Sequence, residues 1–172
     1  EVMEAAGAVR GQVCFGLPPT VGGILATRLI ERVLAVHPDI TLRVVQAFSG
    51  YLIEWLQRGE VDIAIVYAGP PATGVRQVPL LTETLHFVAA PPAGLSPHHG
   101  VAFAEVAAER LVLPGPQHGL RKLVDATAAQ LGVGLRVAVE ADDLQVLKDL
   151  AMRRVGGTVL PLAAVRAEVA DG

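Results

Sequence analysis

One local grammar runs twice along this chain: a strand, a proline turn, a helix, a second strand, a second helix and a third strand. In the first pass Val13, Phe15 and Leu17 alternate as strand residues do. Pro18-Pro19-Thr20 then stops the strand and opens a helix, with Thr20 as the expected capping hydroxyl. Leu25, Leu29, Val33 and Val36 recur at helical spacing until His37-Pro38-Asp39 ends the helix. Ile40, Leu42 and Val44 alternate as the next strand, Ser49-Gly50 opens a helix carrying Leu52, Ile53 and Leu56, and Arg58-Gly59 closes it. The run Ile63 to Tyr67 has no polar face, which predicts a strand covered on both sides, as in a parallel sheet between helices.

The second pass uses other letters. Leu111-Val112-Leu113 is a strand stopped by Pro114-Gly115-Pro116, followed by the helix stripe Leu120, Leu123, Val124, Thr127, Ala128 and Leu131. Gly132-Val133-Gly134 ends that helix, and Leu135 to Val139 form a strand. Asp142 or Asp143 caps a helix bearing Leu144, Leu147 and Leu150, and Gly156-Gly157 leads into the strand Thr158-Val159-Leu160. Two β-α-β-α-β units predict an α/β fold of two Rossmann-like lobes. Leu80 to Ala90 reads as a strand crossing between them, and the loops at 70–74 and 91–100 are too short to join independent domains. Hinged lobes sharing an interlobe cleft are therefore expected.

Composition narrows the function classes. Hydrophobic residues make up 52% of the 172 and charged residues 18%, so the signature of disorder is excluded. No stretch reaches the ~18 apolar residues of a spanning helix. A net charge of −3, with no basic run longer than a pair such as Arg153-Arg154, argues against nucleic-acid binding by this chain itself. The single cysteine, Cys14, excludes a disulfide framework and reads as a small core residue inside a strand. The acidic start Glu1-Val2-Met3-Glu4 is unlike a secretory signal, so a cytoplasmic location is expected, and the absence of an initiating Met points to a piece of a longer chain.

Ligands of open α/β sheets bind beyond the carboxyl ends of strands, beside helix N-termini. The junctions read here are Pro18-Pro19-Thr20, Phe48-Ser49-Gly50, Tyr67-Ala68-Gly69 and Pro114-Gly115-Pro116-Gln117-His118. Thr20 and Ser49 suit a small anion, because helix starts offer N–H groups and the positive end of the dipole; equally, they are ordinary N-caps. Arg121 is either a clamp for a ligand carboxylate or a solvated charge. His98-His99 has no partner at metal-ligand spacing, so no metal is expected, and no catalytic motif or cofactor fingerprint is present. The residues point to binding rather than turnover.

Several segments together resemble the effector-binding domain of LysR-type transcriptional regulators. They are Gly11 to Gly16, His37 to Leu42, Ser49 to Leu52 followed by Leu56 to Ile65, and Gly156 to Pro161, in an order and spacing that spans residues 11 to about 165. Pro116-Gln117-His118-Gly119-Leu120-Arg121 also looks like a stretch found in some members. The resemblance implies a type 2 periplasmic-binding-protein-like fold with a small-molecule effector in the cleft and DNA binding by an N-terminal helix-turn-helix domain. It implies residues 1–10 as the end of a linker helix, 11–80 as lobe I, 81–160 as lobe II and 161–172 as the start of a return to lobe I, with the closing segment missing. The expected ligand-binding residues are Pro18, Pro19, Thr20, Ser49, Gly50, Tyr67, Gln117, His118 and Arg121. Homodimers or homotetramers are implied, with the first helix, which carries Ile30 and Leu34 beyond its main stripe, packing on a neighbour. The competing readings are an extracytoplasmic solute-binding protein of a transporter and an enzyme on the same fold.

Overall fold

A computed structural model of the chain describes residues 9–67, 69, 71–91, 94–96 and 99–171, with the backbone only at 171. Most of the expected linker-helix end, as well as Ala68, Pro70 and His98 of the loops, lies outside the described residues.

The described chain divides into two compact units. The first takes the residues up to Val66 together with Pro71–Arg76; the second takes Tyr67, Gly69 and the chain from Gln77 onward. In the first unit β1 (Gly11–Leu17), α1 (Pro19–Val36), β2 (Ile40–Gln46), α2 (Ser49–Arg58) and β3 (Ile63–Ala64) follow one another. The sheet order is β2-β1-β3 with both pairings parallel, as the connecting helices require. Leu17, Leu52 and Val61 are buried at its centre beside Cys14 and Phe15, so Cys14 is the core residue expected of it. Gly59 ends α2 at φ 70°, the left-handed conformation glycine adopts without penalty.

Two expectations fail in this unit. The run Ile63 to Tyr67 is not covered on both sides: β3 pairs only with β1 at the edge of the sheet, and Ile63 is exposed. Nor does α1 bury its stripe, for only Thr20 and Gly22 are buried while Leu25 and Val36 are exposed. Periodicity reports that a helix has an apolar face, not that its own unit covers that face.

The second unit contains β4 (Leu85–Val88), α3 (Phe103–Ala108), β5 (Arg110–Leu113), α4 (Gly119–Leu131), β6 (Arg136–Glu140), α5 (Leu144–Met152) and β7 (Thr158–Pro161), then a 3-10 turn (Leu162–Val165) and α6 (Arg166–Asp171). β5 and β6 pair in parallel, β4 and β7 antiparallel, and a parallel bridge from Leu111 to Gly157 joins the two ladders. The strand expected over 80–90 is shorter, with Leu80 and Leu81 exposed outside it. α3 was not expected at all, because its six residues are too few for periodicity to register. Leu111, Leu113, Leu120, Val124, Leu160 and Val165 form the core. Of the expected α4 stripe, Leu120, Val124 and Ala128 are buried, whereas Leu123 and Leu131 are exposed. Residues 161–171, expected to start a return to the first lobe, group with the second unit, where Lys148 Nζ donates to Glu168 Oε1 at 2.5 Å and ties α6 to α5.

Candidate functional site

In the first unit the register of β1 against β2 sets Leu17 beside Gln46, so the two strands end level. Ala47 N–H donates to the Leu17 carbonyl at 3.3 Å, holding the two exits together. Each exit turns into a helix the same way: Pro18 (φ −66°, ψ 150°) precedes α1 and Phe48 (φ −69°, ψ 152°) precedes α2. These two are the N-caps, and neither supplies a side-chain acceptor. Thr20 and Ser49 are therefore not the caps they were expected to be. Pro19 occupies the first position of α1, where its fixed φ is already helical, and this moves Thr20 to the second. Ser49 is the first residue of α2. Both hydroxyl residues are buried, at 5% and 6% exposed. Two helix N-termini thus leave adjacent parallel strands side by side without side-chain caps, an arrangement electrostatically suited to a small anion.

Gln46 was missed. A Cβ at Gly22 would stand 2.5 Å from Gln46 Nε2, so the amide lies across the first turn of α1 and a glycine there makes room for it. The available signal was a polar residue ending an alternating strand just before the Ser49 junction. Gly50 is exposed and Pro18 buried; Pro19 and Tyr67 are half-buried, and Tyr67 groups with the second unit.

In the second unit the equivalent edge is built by β5 and β6, where Ala141 N–H donates to the Leu113 carbonyl at 3.0 Å. Asp142 Oδ1 accepts from Gly115 N–H at 2.8 Å, and a Cβ at Gly115 would stand 2.9 Å from that oxygen. Asp143 does the capping of α5, accepting from Val146 N–H at 2.9 Å, so the two aspartates divide the work. His118 is the N-cap of α4: its Nδ1 accepts from Leu120 N–H at 3.0 Å, which leaves the ring hydrogen on Nε2. Burial lowers the His118 pKa from its ordinary value, and the Asp142 carboxylate offsets that only in part. That direction, like the Leu120 N–H bond to Nδ1, favours the neutral imidazole. Gln117 is exposed.

Arg121 is not a solvated charge. Its side chain is 12% exposed, Nε donates to Asp125 at 2.9 Å, and one terminal nitrogen donates to both Glu140 at 2.7 Å and the Pro114 carbonyl at 3.0 Å. Burial opposes its charge, but the bonds to Glu140 and Asp125 outweigh it and raise the pKa. The residue fastens the β5–α4 loop to the end of β6. A pocket of about 470 Å³ elsewhere in this unit is lined by Phe87, Val106, Arg110, Arg154 and Gly157 among others and contains none of the expected site residues. Among the described residues no group of His, Cys, Asp and Glu could hold a metal ion, and no helix is long and apolar enough to cross a membrane.

A family model described as the LysR substrate binding domain matches residues 6–172. The HTH-type transcriptional regulator BbuR of Bordetella bronchiseptica is 27% identical over 172 residues, covering all of this chain and 53% of that protein. The nitrogen assimilation regulatory protein nac of Klebsiella aerogenes is 27% identical over 159 residues, covering 92% of this chain and 51% of its own. This chain thus spans about half the length of these curated relatives. Among solved structures, the effector binding domain of QuiR in complex with shikimate superposes with a TM-score of 0.80 at 21% identity, covering 89% of this chain and 74% of that one. The Synechocystis CcmR regulatory domain in complex with 2-PG gives 0.78 at 18% identity, covering 91% and 74%. The shared fold is the type 2 periplasmic-binding-protein-like one that the sequence led us to expect.

Proposed function

The chain belongs to the LysR substrate-binding domain family, and on that premise we propose that it is the effector-sensing domain of a transcription regulator. The observation that carries the reading beyond the family is the pair of helix starts at Pro19 and Ser49, level with each other, without side-chain caps and beside the buried Thr20 and Ser49. N–H groups and hydroxyls clustered at positive dipole ends favour a small carboxylate or similar anion. We carry Tyr67, Gln117 and His118 as effector contacts on the family resemblance, and assign Arg121 a structural role. The bound shikimate and 2-PG of the two regulatory-domain neighbours are in keeping with a small-molecule ligand.

On this reading the domain is not an enzyme and uses no cofactor or metal. Effector binding changes the populations of its conformations, and through them the DNA affinity of a helix-turn-helix domain outside these residues. The whole regulator works as a cytoplasmic homodimer or homotetramer. A transporter's solute-binding protein is not favoured, since the relatives above are regulators.

Calorimetric titration with shikimate and a panel of other small carboxylates tests this, repeated with Thr20→Ala and Ser49→Ala. Loss of one charge-assisted hydrogen bond is expected to weaken binding by about 1.5–3 kcal/mol, roughly ten- to a hundredfold. Neither residue is an N-cap, so the usual cap penalty of about 1 kcal/mol in stability is not expected. Unchanged affinity in both variants overturns the assignment, and a neutral, wholly apolar effector overturns the anion argument.

A further inference from the structure

The cap of α4 is one that a proton destroys. Serine, threonine, aspartate and asparagine keep an acceptor oxygen through the neutral range, but the acceptor here is a ring nitrogen, His118 Nδ1, taking the Leu120 N–H at 3.0 Å. In imidazolium both ring nitrogens carry hydrogen. The same contact would then set donor against donor, inside a residue only 6% exposed. His118 is also joined to the loop before it, for its N–H donates to the Gly115 carbonyl at 3.0 Å, while Gly115 N–H is held by Asp142. Cap and loop form one connected set.

We propose that His118 is a proton-sensitive latch: the neutral imidazole holds the first turn of α4 and the loop Pro114–Gln117 in place, and protonation releases them, lowering effector affinity in acid. The last step, from loop to effector, rests on the proposed function; the latch itself does not.

The charges around the ring support this direction. From the β6–α5 connection the Asp142 carboxylate favours imidazolium, yet burial opposes it more strongly. On α4 the Arg121 guanidinium is neutralised by Asp125 on its own helix and by Glu140 at the end of β6, and Lys122 is exposed. A histidine whose folded pKa lies below its unfolded value stabilises the fold fully above the unfolded value, about 6.5, and loses that contribution as pH falls from there towards the folded value.

Hydrogen exchange of the Leu120 amide, read by NMR between pH 7.5 and 5.5 and corrected for intrinsic rates, tests the latch. The amide of Leu52 in α2, bonded to the Phe48 carbonyl at 3.0 Å, serves as an internal reference in the first unit. Leu120 protection is expected to fall relative to Leu52, by up to about tenfold per pH unit, the limit for one proton. His118→Asn, which keeps a cap acceptor that does not titrate, is expected to hold it level. Equal pH dependence at Leu120 and Leu52 in the wild type, or the same relative loss in His118→Asn, overturns the proposal. The wild-type comparison decides even where the variant fails to fold. Shikimate titrations over the same range separate the two readings. Affinity that stays level while Leu120 loses protection overturns the coupling to effector. Failure of every carboxylate to bind at any pH overturns the proposed function and leaves the exchange result standing.

Discussion

At position 157 an added methyl group meets the Phe87 ring. A Cβ there would lie 2.3 Å from two atoms of the Phe87 ring, and one at 156 would lie 2.6 Å from the Arg110 carbonyl oxygen. The glycine pair lets β7 come alongside β5, where Gly157 N–H donates to the Arg110 carbonyl and the Gly157 carbonyl accepts from Val112 N–H, both at 2.8 Å. Gly157→Ala is expected to destabilise the domain by about 1–3 kcal/mol, as overpacking does. Gly23, on α1, would find nothing within 4 Å of an added Cβ. Gly23→Ala is expected to stabilise by about 0.5–1 kcal/mol, because glycine costs that much in a helix. Urea denaturation of the two variants checks the opposite signs. In the sequence both positions are simply glycine, and the difference lies in what stands beside them.

At the scale of elements, α4 is held at its start by more than its own hydrogen bonds. Arg121 bonds Asp125 on the same helix, Glu140 on β6 and the Pro114 carbonyl on the loop. The carboxylates are about half exposed, so solvent discounts each pair. Arg121→Ala is nevertheless expected to cost about 1–2 kcal/mol, since it also leaves a loop carbonyl without its charged donor. Arg121→Lys should recover only part, because an ammonium cannot match the planar fork. Thermal unfolding of both variants against wild type gives the ordering. The helix, its αL stop at Gly132 and the proline turn before it were all legible from local pattern. That His118 caps it was not, because histidine is an uncommon cap and its ring must be turned to present Nδ1.

For the whole molecule, the question is what covers apolar surface that the described residues leave open. Ile24, Leu25, Leu34 and Val36 are exposed on α1, a density that marks interaction surfaces. We expect the chain to self-associate through this helix, with sedimentation shifting towards monomer in Leu34→Glu. A purely monomeric wild type at high concentration removes the idea for this chain. Its net charge of −3 also leads us to expect no sequence-specific affinity for duplex DNA, which a mobility-shift titration at physiological salt checks.

Local pattern determined much of this protein. Period-two and period-3.6 alternation, stopped by proline and glycine, set the α/β class, most of the element order and the parallel pairing of β1, β2, β5 and β6. These follow from the dihedral preferences of neighbouring residues, which the chain carries wherever it is placed. Only the tertiary structure decided which apolar faces are covered, which residues cap the helices, and that Asp142 holds Gly115 across 27 positions while Arg121 holds Glu140 across 19. Burial and charge pairing depend on distant partners, and no periodicity encodes a partner.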